Sequence, residues 1–173
     1  MGRWWVFYED WQMECCGTPF SVGEEVSWPL LLMDADEVLG GDWCDELSRM
    51  TGPVELVRDE YEGVIMTLRA HDGLTAALNG DPVDEPDTVP EQGIRTAGLL
   101  TVERHSGEWP ETTGRVRAIH LVHQEFAESV PGSRTFEPVP GSRSLRAVDS
   151  CPKWFGPGPC GALAELEVPD PRT

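Results

Sequence analysis

Apolar residues recur at a spacing of two in short runs closed by glycine and proline, which restricts the chain to short strands. Val64, Met66, Leu68 and Ala70 alternate with Ile65, Thr67, Arg69 and His71, the pattern of a strand with one face on a core. Val26, Trp28, Leu30 and Leu32 alternate with Glu25, Ser27 and Pro29, a half-buried strand that Pro29 assigns to a sheet edge. Trp4 to Tyr8 is aromatic and β-branched, with apolar side chains on both strand faces. Residues 97–104, 114–126 and 145–148 complete six strands. The second of these loses its alternation near Ala118, where Arg115 and Arg117 share a face with Ile119 and Leu121. That predicts a β-bulge or a strand end covered on both faces. Between Asp34 and Met50 the spacing of Trp43, Leu47 and Met50 predicts one helix, with Asp42 as its N-cap. Glu9 to Thr18 breaks the opening strand and carries no clear period.

Six strands, turn signals and one helix predict a mainly β chain, or α+β with one short helix. The expected architecture is a small single-domain barrel or a strongly curved antiparallel sheet of OB- or SH3-like character. With 173 residues the chain suits one domain, assigned to residues 1–155. The acidic, proline-punctuated segment 81–93 reads as a mobile exposed loop, and 156–173 as a Pro/Gly-rich C-terminal tail. Pro131-Gly-Ser-Arg134 recurs as Pro140-Gly-Ser-Arg143, which is turn chemistry rather than a repeat.

Charge narrows the range of partners. The formal net charge is -18, and residues 1–92 hold 21 acids and 4 bases against 10 and 9 in the remainder. Nucleic acid and anionic membrane are disfavoured as general partners, because both are held by Lys and Arg. The exclusion is strict only for the first half. Arg115, Arg117, Arg134, Arg143 and Arg146 form the one basic concentration; pairing with the acidic half is expected ahead of binding an anionic partner. No apolar run approaches the roughly 18 residues of a membrane span. The N-terminus lacks the pattern of a signal peptide, and five cysteines make no complete disulfide framework. A cytoplasmic monomer with reduced thiols is expected.

Motifs for catalysis are sparse. Gly-x-Ser-x-Gly and a P-loop are absent, and Gly156-Pro-Gly-Pro-Cys-Gly161 has the glycines of a phosphate-binding turn but prolines that lack the N–H groups of a phosphate nest. Cys15-Cys16, read on an extended segment, points its thiols to opposite faces, one buried and one near the surface. Cys151 and Cys160 close a Pro/Gly-rich segment and allow a disulfide, half of a zinc site or, as expected in a reducing compartment, two free thiols. His120 and His123 fall on opposite faces of a strand; with a bulge they converge, and His105 or Glu125 then completes a three-ligand metal site. No metal or cofactor is the principal expectation. Of the N-terminal aromatic residues most belong in a core, while Trp5 and Trp11 stand beside carboxylates suited to a cationic or amphipathic ligand.

The stretch Trp5-Val-Phe-Tyr-Glu-Asp-Trp-Gln-Met-Glu-Cys-Cys-Gly-Thr-Pro-Phe-Ser-Val-Gly-Glu-Glu-Val-Ser-Trp28 resembles an uncharacterised actinobacterial family, a domain of unknown function. Gly114-Arg-Val-Arg-Ala-Ile, Glu137-Pro-Val-Pro-Gly-Ser and Cys151-Pro-Lys-Trp-Phe155 are similar to the same family, so the resemblance spans most of the chain. It implies no activity and no site residue. The leading expectation is a non-catalytic binding module for a protein or small ligand, with Trp5, Trp11, Cys16, Arg115 and Arg117 as contact residues. The alternatives are a metal- or thiol-dependent enzyme using Cys15, Cys16, His105, His120 or His123, and an acidic mimic of nucleic acid.

Overall fold

Strand accounts for 48% of the described residues. In a computed structural model that describes residues 1–61 and 63–171, the strands are β1 (Gly2–Glu9), β2 (Phe20–Ser21), β3 (Glu25–Trp28), β4 (Leu30–Met33), β5 (Ser48–Gly52), β6 (Val54–Arg58), β7 (Val64–Arg69) and β8 (Thr75–Ala77). They continue as β9 (Ile94–Val102), β10 (Thr112–His123), β11 (Phe126–Glu128), β12 (Phe136–Pro138), β13 (Ser144–Val148), β14 (Ser150–Cys151) and β15 (Pro159–Val168). One α-helix, α1 (Asp10–Cys16), follows β1 among the described residues.

Eleven strands join in one sheet with the path β13-β10-β15-β1-β9-β4-β8-β7-β6, on which β3 adds to β10 and β5 to β9. The expected barrel is not formed. The sheet is mixed, because β1 pairs in parallel with β9 and β4 with β8, while the other pairings are antiparallel. Alternation says which face of a strand is buried and not which neighbour it takes, so it leaves closure undetermined.

Three expectations need correction. Residues 159–168, assigned to a C-terminal tail, are a ten-residue strand between β10 and β1, with Ala162, Leu163, Ala164 and Leu166 fully buried. The proline cluster ends at Pro159, and a strand can begin on proline. The run over 26–32 is not one strand: Pro29 divides it into β3, an edge strand paired with β10, and β4, enclosed between β9 and β8. The helix predicted from Asp42 to Met50 is absent. Leu39, Gly40, Gly41 and Asp42 hold φ of 52°, 79°, 85° and 62°, a left-handed run that denies Asp42 the extended backbone of an N-cap. Met50 instead enters β5.

The expected irregularity near Ala118 is present as a register shift of β10 against β15 between Val116 and Ala118. Gly132 and Gly141 take φ of 83° and 74° in the two Pro-Gly turns, as type II turns require. Segment 81–93 is mostly exposed and holds one isolated bridge, Val64 to Val83.

Val6, Phe7 and Tyr8 are all fully buried, so the sheet is covered on both faces at β1. Val6 and Tyr8 face the main core, where Tyr8, Phe20 and Trp28 pack ring against ring. Phe7 faces a smaller cluster with Leu99, Val122 and Leu163, closed from outside by Val38 and Trp43. The left-handed run at 39–42 reverses the chain and lays Trp43 on Phe7, with ring centroids 5.7 Å apart.

Candidate functional site

The cover over the smaller cluster leaves a groove of about 310 Å³ between the reversal at 39–46 and the turn joining β12 to β13. Trp43 is buried and anchored by its indole N–H, which donates to the Val38 carbonyl at 2.9 Å. The guanidinium of Arg143 lies 3.8 Å from the Trp43 ring centroid and donates to the Leu39 carbonyl at 2.7 Å. Its Nε–H is buried and unpaired. Burial pulls this guanidinium below the usual arginine range, and the Asp42 carboxylate, Cys160 and Glu46 act against that. The guanidinium stays charged at neutral pH.

The opposite wall is tied together by hydrogen bonds. Gln124, nearly buried at the end of β10, donates to the Val139 carbonyl at 3.1 Å and to Ser142 Oγ at 2.6 Å, and Ser142 Oγ donates back to Val139 at 2.7 Å. Leu39, Pro138, Val139 and Leu145 supply apolar surface, while Asp42 and Glu46 supply two carboxylates. A concave, mostly apolar site with a few placed charges is the usual form of a small-ligand site, and this one has the volume of the smallest.

A second constellation lies at the end of α1. Helix α1 has seven residues and no N-cap side-chain bond, too short to be stable alone. Its C-terminal end is held from far along the chain by Lys153, the only lysine, whose ammonium donates to the Met13 and Gly17 carbonyls at 2.7 and 2.9 Å. Cys15 and Cys16 are both exposed, and their sulfurs are joined as a vicinal disulfide. This corrects the expectation of one buried and one surface thiol: helical neighbours are about 100° apart, not on opposite faces. His105 Nε2 stands 3.4 Å from Cys16 Sγ.

The sequence-derived contact residues are dispersed. Trp5 is half-buried against the smaller cluster and the His120 ring, 5.8 Å away. Trp11 is 46% exposed and packs on His105 at 4.8 Å. Arg115 donates to the Gly23 carbonyl at 2.6 Å, and Arg117 pairs with Glu167 at 2.6 Å, which holds that carboxyl below its ordinary range. Glu167 belongs to the near-neutral half, so this arginine is not occupied by the acidic one. His105, His120 and His123 do not converge: His105 meets Cys16, His120 meets Trp5, and His123 lies beside Gly158. Cys44, Cys151 and Cys160 are free thiols. Burial pushes Cys151 up to about 12 and Cys160 up to about 11. Trp43 and Arg143, central to the groove, are a hundred residues apart in sequence, and no local signal joins them.

No helix among the described residues is long and apolar enough to cross a membrane. No curated protein and no solved structure matches the chain. A model of a family of unknown function, DUF6578, matches residues 2–168, nearly the whole length, and the chain belongs to that family.

Proposed function

We propose that the protein is a cytoplasmic, monomeric binding module, and that the groove over Trp43 receives a small amphipathic ligand carrying a cationic group. The observation that carries this reading is the pairing of an apolar wall, Leu39, Pro138 and Leu145, with the carboxylates of Asp42 and Glu46 in one concavity. An apolar body gains about 25 cal/mol per Å² of surface removed from water on that wall. A cation is drawn there by the two carboxylates, which outnumber the single guanidinium of Arg143, and by the charge of the first 92 residues. The contact residues therefore shift from Trp5 and Trp11 to Trp43, Asp42, Glu46 and Arg143.

Calorimetric titration with phenethylamine, phenylacetate and ethylbenzene separates the contributions of charge and apolar surface. The amine binds, and the carboxylate and neutral compound bind at least ten-fold more weakly, a difference of about 1.4 kcal/mol. The double variant Asp42→Asn, Glu46→Gln loses the preference. Asparagine tolerates the left-handed backbone of position 42, so the fold is retained. Equal binding of all three probes, or an amine preference that survives the double variant, contradicts the reading.

A further inference from the structure

Two sulfur donors and an imidazole meet on the surface at the end of α1, away from the groove over Trp43. The meeting is built rather than incidental. Gln12, buried in α1, donates from Nε2 to Glu103 Oε1 at 2.9 Å and accepts the Arg104 backbone N–H at 3.0 Å. The same Glu103 oxygen accepts the backbone N–H of His105 at 2.8 Å and of Ser106 at 3.2 Å. The loop after β9 is thereby tied to α1, and the Trp11 ring supports the His105 ring from the side. The donor atoms of Cys15, Cys16 and His105 all lie within 4.8 Å of one another.

We propose that Cys15 and Cys16 in their dithiol form, with His105 Nε2, bind one thiophilic divalent cation of the Zn²⁺ class. A phosphine reductant cleaves the disulfide: with one water it yields two thiols and the phosphine oxide. Binding then displaces the two thiol protons to solvent and leaves two thiolates and a neutral imidazole on the metal. Zn–S bonds of about 2.3 Å and Zn–N bonds of about 2.0–2.1 Å at tetrahedral angles place the donors about 3.6–3.8 Å apart. Cys16 Sγ and His105 Nε2 already stand at 3.4 Å. Once the disulfide is cleaved, the sulfurs separate by rotation of two exposed side chains. Two thiolates select zinc-like ions over magnesium or calcium. Three protein donors leave a fourth position open to water or a further ligand. Glu9, Asp10 and Glu14, in and beside α1, attract the cation that replaces the protons.

The test uses the full chain, reduced with a water-soluble phosphine and freed of metal, and titrated with Zn²⁺ alone against a chromogenic chelator. Co²⁺ serves as the spectroscopic probe. Expected are one Zn²⁺ per reduced chain, thiolate-to-cobalt charge-transfer absorption, and neither in the oxidised chain. Cys15→Ser and Cys16→Ser abolish the absorption. His105→Gln weakens Zn²⁺ by more than the roughly 10–100-fold that outer-shell partners are worth, and Cys44→Ser changes nothing. All these side chains are exposed, and unaltered circular dichroism confirms each variant's fold. Failure of the reduced chain to bind, equal binding by the oxidised chain, or undiminished affinity in Cys16→Ser or His105→Gln overturns the proposal. None of these outcomes bears on the groove over Trp43, which shares no residue with this site.

Discussion

Replacing Lys153 by methionine tests how a helix of seven residues is held. The ammonium makes two charge-assisted hydrogen bonds, to the Met13 and Gly17 carbonyls, at the negative end of α1. Such bonds are worth about 1.5–3 kcal/mol each, and a cation at a helix C-terminus adds about 0.3–1 kcal/mol. The two bonds share one donor group and are not additive. Lys153 is half-buried, so water replaces part of what is lost. The expected cost is about 2 kcal/mol, or a Tm lower by about 4–8 °C for a chain of this size. Methionine keeps the apolar stem, so the loss reports the ammonium rather than packing. Urea denaturation measures the change, and amide hydrogen exchange locates it: protection at residues 13–17 falls more than at β1. A change below about 0.5 kcal/mol with protection of α1 intact would show that α1 is held by Gln12 and Met13 packing alone and not by Lys153.

Two further predictions follow from backbone fit and thiol burial. At Gly161 an added Cβ meets the Tyr8 carbonyl oxygen at 2.5 Å and the Phe7 ring at 2.9 Å; both neighbours are fully buried in β1, so Gly161→Ala costs about 3 kcal/mol by overpacking, read as a lower Tm, and an unchanged Tm contradicts the register of β15 on β1. Cys151 and Cys160 hold their protons to about pH 12 and 11 in the folded chain, against 9.0 for a free thiol; the folded state then binds more protons than the unfolded one above pH 9, so stability is fully present below that pH and lost as pH rises toward 11–12. Each thiol contributes at most about 1.4 kcal/mol per pH unit, and denaturation at pH 8 to 11 should show a slope that is shallower in the Cys151→Ala, Cys160→Ala variant, where only the buried Tyr8 hydroxyl, also raised by burial, still adds to it.

Strand content was legible because alternation is a local property: β1, β7, β9, β10 and β13 lie close to where the pattern put them. So was the bulge of β10, since Arg115 and Arg117 cannot share a buried face with Ile119 and Leu121 without a register shift. The helix α1 was not legible. Its buried residues, Gln12 and Met13, are adjacent and make no helical stripe, and its C-terminal support comes from Lys153, about 140 residues away. Trp43, Leu47 and Met50 misled for the converse reason. Their helical spacing is real, but the left-handed backbone at Asp42 removes the N-cap, residues 48–52 pair with β9, and Leu47 remains exposed. Both candidate sites depend on such distant pairings, Trp43 with Arg143 and Cys16 with His105. Residue types could be named in advance; their meeting is a product of the fold.

The groove over Trp43 and Arg143 is the proposed point of ligand entry. Nuclear magnetic resonance titration of the labelled protein with phenethylamine tests it directly, reading the indole N–H signals of the tryptophans and the Nε–H signal of Arg143. Saturable shifts of Trp43 and Arg143 are expected, with Trp11 and Trp154, both exposed, unmoved. Shifts confined to Trp11 or Trp154, with Trp43 and Arg143 stationary, contradict it.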